Sequence, residues 1–110
     1  MTRNLLLGLL ALTGLSAAQS PQTFTGLITD DMCATKAGHA QMRMGPTDAD
    51  CVKACIASHG ATYVLFDDKN VYVLSDQQTP EKFAAQRVTV VGTLDAKTKT
   101  IKVQSIAPAK

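Results

Sequence analysis

Two cysteines four residues apart, Cys51 and Cys55, sit inside the run Thr47-Asp48-Ala49-Asp50-Cys51-Val52-Lys53-Ala54-Cys55-Ile56-Ala57-Ser58-His59-Gly60. The run has the punctuation of one short helix. Thr47 can accept a hydrogen bond from the backbone N–H of Asp50 in a capping-box-like pattern. Asp48 and Asp50 place negative charge at the positive end of the helix dipole, and Gly60 can supply the left-handed residue that stops the helix. On such a helix Cys51 and Cys55 share a face. Their β-carbons are then roughly 6 Å apart, whereas a disulfide needs about 3.8 Å. The two cannot bond to each other while the helix stands. Cys33 is the only other thiol in the chain.

The chain has 110 residues, enough for one domain and not two. Its first eighteen residues have the pattern of a secretory signal peptide: Arg3 as the positive start, an apolar run from Leu5 to Leu15, and small residues in Ser16-Ala17-Ala18. Cleavage near Ala18 leaves a single domain, residues 19–110, in the periplasm or outside the cell. The apolar run is too short to span a bilayer, and no later stretch is longer. Without Arg3, ten basic side chains face nine acidic ones. That near-neutral balance carries no electrostatic footprint for nucleic acid or for an anionic membrane. A domain of this size buries only about 60–65% of its unfolded surface, so its core needs a staple. Export leads to an oxidising compartment in which disulfides persist. An odd number of cysteines leaves one over.

The periodicity on either side of the helix is that of strands. Thr23 to Asp30 alternates, with Gly26 marking a kink or bulge. Asp30-Asp31 ends it, and residues 32–46 lose periodicity; Cys33 and His39 lie in this long loop. Ala61 to Phe66 and Val71 to Leu74 are rich in β-branched and aromatic residues and are joined by Asp67-Asp68-Lys69-Asn70 as a hairpin. Thr79 can cap a short helix with Pro80 at its first position and Phe83 facing inward. Arg87 to Leu94 directs Val88, Val90 and Leu94 one way, with a bend at Gly92, and Thr100 to Ile106 closes the series. The expected fold is mainly β (α+β): a five-stranded OB-like Greek-key barrel with the cysteine helix inserted between strands 1 and 2.

Gly26-Leu27-Ile28-Thr29-Asp30, Cys33, His39, Cys51-x-x-x-Cys55, Gly60-Ala61-Thr62-Tyr63-Val64-Leu65 and Val88-Thr89-Val90-Val91-Gly92-Thr93-Leu94 together resemble a group of small exported bacterial domains of unknown function with an OB-like barrel. The resemblance implies a fold and an exported location, and no activity.

Three chemistries are open to the sulfurs. One helical cysteine can pair with Cys33, closing a loop whose cross-link contributes roughly 3 kcal/mol in the chain-entropy picture. Alternatively, Cys51 and Cys55 can converge on one ion as i, i+4 ligands do, with Cys33 and His39 completing a Cys3His set for zinc. Met32, Met42 and Met44 add thioethers near the same loop, which suit Cu(I), although such methionines also serve simply as packing. Thiol redox catalysis is the third chemistry, but the x3 spacing and the lack of a βαβ frame separate this chain from thioredoxin-like sites. His59 lies about 12 Å along the helix axis from Cys51, too far to share an ion with both cysteines. It belongs to the helix C-terminus. Asp30-Asp31 and Asp67-Asp68 read as solvated turn residues, and Tyr63, Phe66 and Tyr72 as core rather than as a stacking face for bases. The expected protein is an exported, non-catalytic binding domain whose partner is a metal ion or another protein.

Overall fold

A computed structural model of the chain describes residues 20–34 and 47–110. The segment expected to be a signal peptide, His39, Met42 and Met44 lie outside the described residues. Five strands, one helix and one 3-10 turn follow in the order β1 (Gln22–Asp30), α1 (Asp48–His59), β2 (Tyr63–Phe66), β3 (Val71–Leu74), the turn Thr79–Phe83, β4 (Arg87–Asp95) and β5 (Thr100–Pro108). The sheet closes on itself as a ring in the order β1-β2-β3-β5-β4. All neighbours are antiparallel except β3 and β5. The helix stands between strands 1 and 2, as the sequence predicts.

Closure depends on β1, which serves two neighbours. Its first part, Gln22 to Leu27, pairs with β4, and its last part, Leu27 to Asp30, pairs with β2. Gly26 lies where the strand changes partner. A β-carbon there would stand 2.6 Å from the carbonyl oxygen of Phe66, so glycine is required by the close approach of two backbones. The bulge expected at Gly26 is therefore not the reason for this residue. The bend expected at Gly92 is real: the β4–β5 register shifts between Val91 and Gly92.

Alternation sorts the side chains. Ile28 sits opposite Leu65 across the β1–β2 ladder. Both join Tyr63, Tyr72, Leu74, Val88, Val90 and Ile101 in one buried cluster inside the ring. Tyr63 and Tyr72 are thus core residues, as expected, with the Phe24 ring tilted against Tyr72 at 5.3 Å. Helix α1 adds Val52 to this cluster, flanked by the half-buried Ala49 and Ile56. These three positions follow helical spacing and form the stripe by which the helix meets the ring.

Thr79 begins the 3-10 turn rather than capping it, and Asp76 braces the chain leading in. Its Oδ1 accepts from the backbone N–H groups of Gln78 and Thr79, while Pro80 enters the core at the start of the turn. The neighbouring Gln77 substitutes for a missing strand partner at the start of β2. Its side-chain amide accepts from the Tyr63 N–H at 2.8 Å and donates to the Tyr63 carbonyl at 2.9 Å.

Gly26→Ala tests the closure directly. It should lower unfolding free energy by about 1–3 kcal/mol, the range for overpacking a tight contact, as read from denaturant midpoints. An unchanged midpoint would contradict the close approach.

A buried sulfur cluster as candidate metal centre

The helix forms where the local signals place it. Thr47 Oγ1 accepts from the Asp50 N–H at 3.1 Å. Gly60 takes the left-handed conformation at φ 67°, and the Ala61 N–H donates to the Cys55 carbonyl. Between these caps, Cys51 and Cys55 project from a face adjoining the Ala49–Val52–Ile56 stripe and are 1% and 0% exposed. His59 is exposed in the last turn.

Cys33 reaches the same place from the other side, because two adjacent carboxylates do opposite work. Strand alternation sends Asp30 and Asp31 to opposite faces. Asp31 faces outward; its Oδ1 accepts from the Thr62 N–H at 3.0 Å, and its own N–H donates to the Thr62 carbonyl. That pairing ties the chain leaving α1 to the end of β1. Asp30 turns inward and is 0% exposed. Its Oδ1 accepts from the Met32 N–H at 3.0 Å and the Cys33 N–H at 3.1 Å, which curls the chain into a tight turn and buries the Cys33 side chain. The expectation that both aspartates are solvated is corrected for Asp30. Its role was missed because the signal, an aspartate three residues before a cysteine, becomes informative only once the inward face of β1 is known.

The sulfurs of Cys33, Cys51 and Cys55 lie within 4.8 Å of one another and form their own buried cluster, with Ala61 packed against it. In a tetrahedral zinc site, sulfurs at about 2.3 Å from the metal stand about 3.8 Å apart. The three thiols are therefore close enough to hold one metal ion. No disulfide links them: all three are free thiols. The expected Cys33 bridge to Cys51 or Cys55 is not formed. His39, the fourth expected ligand, lies outside the described residues.

The electrostatics favour the neutral forms of Cys33 and Cys55. Burial, then the Asp30 carboxylate, then the other two cysteines push the Cys33 thiol up to about 12. Burial, followed by Asp30, also raises Cys55. A thiol whose negative form is this disfavoured is a poor free nucleophile, yet a cation placed among the sulfurs would favour the thiolate forms.

Fold and site together define a small, mainly β domain in which the turn after β1 and helix α1 bring three cysteine sulfurs together. The model of a protein family of unknown function (DUF5818) matches residues 56–109, which run from the second half of α1 through β5. This fits the resemblance to a small domain family of unknown function, and the three cysteines precede the matched segment. No curated protein and no solved structure matches the chain.

The raised Cys33 value fixes a pH dependence for the reduced, metal-free protein. Between about 9 and 12 the unfolded chain loses the Cys33 proton and the folded chain keeps it. Stability is then full below pH 9 and falls as pH rises, by about 1.4 kcal/mol per pH unit for one such thiol. Urea denaturation from pH 8 to 11 should show this decline in the native chain and a shallower one in Cys33→Ala. Parallel curves would contradict it.

Proposed function

We propose that this chain is an exported, non-catalytic binding domain, an OB-like barrel that holds one thiophilic metal ion, zinc or copper, through Cys33, Cys51 and Cys55, with His39 as a further ligand. The single observation that carries the reading is the convergence of three buried sulfurs within 4.8 Å of one another. Cysteines from separate segments meeting in this way supply three of the four donors of a closed structural site. The ring order β1-β2-β3-β5-β4 with its one parallel pair, β3 and β5, supports the OB-like description. Near-neutral charge and the burial of Tyr63 and Tyr72 support a partner other than nucleic acid. No helix among the described residues is long and apolar enough to cross a membrane. The apolar run from Leu5 to Leu15, followed by small residues, supports export.

A second reading keeps the same residues and replaces the ion by a disulfide from Cys33 to Cys51 or Cys55, favoured by the approach of the three sulfurs within 4.8 Å of one another and by an oxidising compartment. Redox catalysis has less support, since burial raises both thiols and a thiolate is the form that attacks.

Elemental analysis with thiol counting on the protein purified from an exporting host separates these readings. Binding predicts one equivalent of zinc or copper per chain, three thiols titrating after chelation, and loss of the metal in Cys51→Ala. One titratable thiol, no metal and a mass two hydrogens lower would overturn the metal reading in favour of the brace.

A further inference from the structure

Three donors that meet as a triangle can cap one side of an ion and leave its other side open. Cys51 and Cys55 come from one face of α1 and Cys33 from the turn after β1, and their sulfurs lie within 4.8 Å of one another. Among the described residues the donor group is these three sulfurs, with no imidazole nitrogen or carboxylate oxygen in it. Ala61, packed against the cluster, brings a methyl group and no lone pair. Zinc asks for a fourth donor to complete its tetrahedron. Arsenic(III) does not: it is soft and thiophilic, makes three bonds in a pyramid, and keeps a lone pair where a fourth ligand would stand. Charge points the same way. Three thiolates leave one negative charge around a divalent ion and two around Cu(I), but none around a trivalent ion. The three cysteines are at or below 3% exposure, where an uncompensated charge is costly.

We propose that the sulfur cluster is also a receptor for trivalent arsenic, held as a neutral three-thiolate pyramid by Cys33, Cys51 and Cys55. This rests on the cluster being an ion site, as in the metal reading above, and extends it to a class of ion that has no use for His39. The exchange needs no redox partner. Arsenite at neutral pH is the uncharged acid As(OH)3. As each As–S bond forms, one As–O bond breaks, and the departing hydroxide takes the thiol proton and leaves as water. Arsenic stays trivalent, each sulfur keeps its oxidation state, and three waters are released per ion. Folding has already brought the sulfurs together, so binding does not have to order them.

The test adds sodium arsenite, Zn(II) and Cu(I) separately to the reduced chain and to its Cys33→Ser, Cys51→Ser, Cys55→Ser and His39→Ala variants. Native mass spectrometry should show one arsenic per chain with three hydrogens lost, and the count of titratable thiols should fall from three to none. Each serine variant should bind arsenite about a hundredfold or more weaker, the scale on which linked contacts add to affinity. His39→Ala should bind it as the native chain does. An adduct that keeps a hydroxyl and leaves one thiol titratable would overturn the proposal, because arsenic then bridges two sulfurs only. So would a loss in His39→Ala equal to that in the serine variants. Uptake of zinc or copper without arsenite ends this inference and leaves the metal reading standing. Arsenite uptake without either metal supports this inference and ends that reading. A chain that takes up none of the three ends both. Should the serine variants fail to fold, X-ray absorption at the arsenic edge of the loaded native chain decides: a shell of sulfur alone supports the proposal, and a retained oxygen overturns it.

Discussion

Convergence of Cys33 with Cys51 and Cys55 joins two parts of the chain that the sheet does not join. Helix α1 has a narrow apolar stripe, Ala49, Val52 and Ile56, facing the ring. The sulfurs form a second buried contact beside it. Around them, Asp30 curls the chain leaving β1, and Asp31 clasps the chain entering β2. The carboxylate pair at the end of one strand thus frames both ends of the segment that delivers the thiols.

The surroundings of this cluster suit a cation better than they suit empty space. The three cysteines are at or below 3% exposure, and burial, the Asp30 charge and the other two cysteines push the Cys33 thiol up. The buried Asp30 carboxylate that holds the Cys33 backbone keeps one oxygen, Oδ2, without a hydrogen-bond partner among the described residues. A bound divalent ion would convert that tension into binding energy. Because the site is assembled only by folding, the binding energy would also be folding energy. For a domain near the size at which a core becomes marginal, such a staple is as significant as the core itself.

Much of this was legible in the sequence wherever the signals are local. The helix limits follow from Thr47 and Gly60, since a cap is decided by one side chain and one backbone conformation. The strands β1 to β5 and the β4 bulge at Gly92 follow from alternation and a single glycine. What depends on register was not legible. Which of Asp30 and Asp31 faces inward is settled by the pairing of Asp30 with Tyr63 across β1–β2, and no property of the dipeptide decides it. Val52 was likewise hidden, because a lone valine between cysteines shows no stripe until the helix is docked. Thr79 begins the 3-10 turn instead of capping it, with the Asp76 carboxylate accepting from two N–H groups ahead of the turn. The cysteines themselves were read correctly as a meeting point, but the sequence could not distinguish a covalent pair from a three-sulfur cluster.

X-ray absorption at the zinc edge of the zinc-loaded mature chain tests the meeting of the sulfurs most directly. The account predicts three sulfur scatterers at about 2.3 Å and one lighter scatterer near 2.0–2.2 Å. A shell of oxygen and nitrogen alone, or of fewer than three sulfurs, would contradict it.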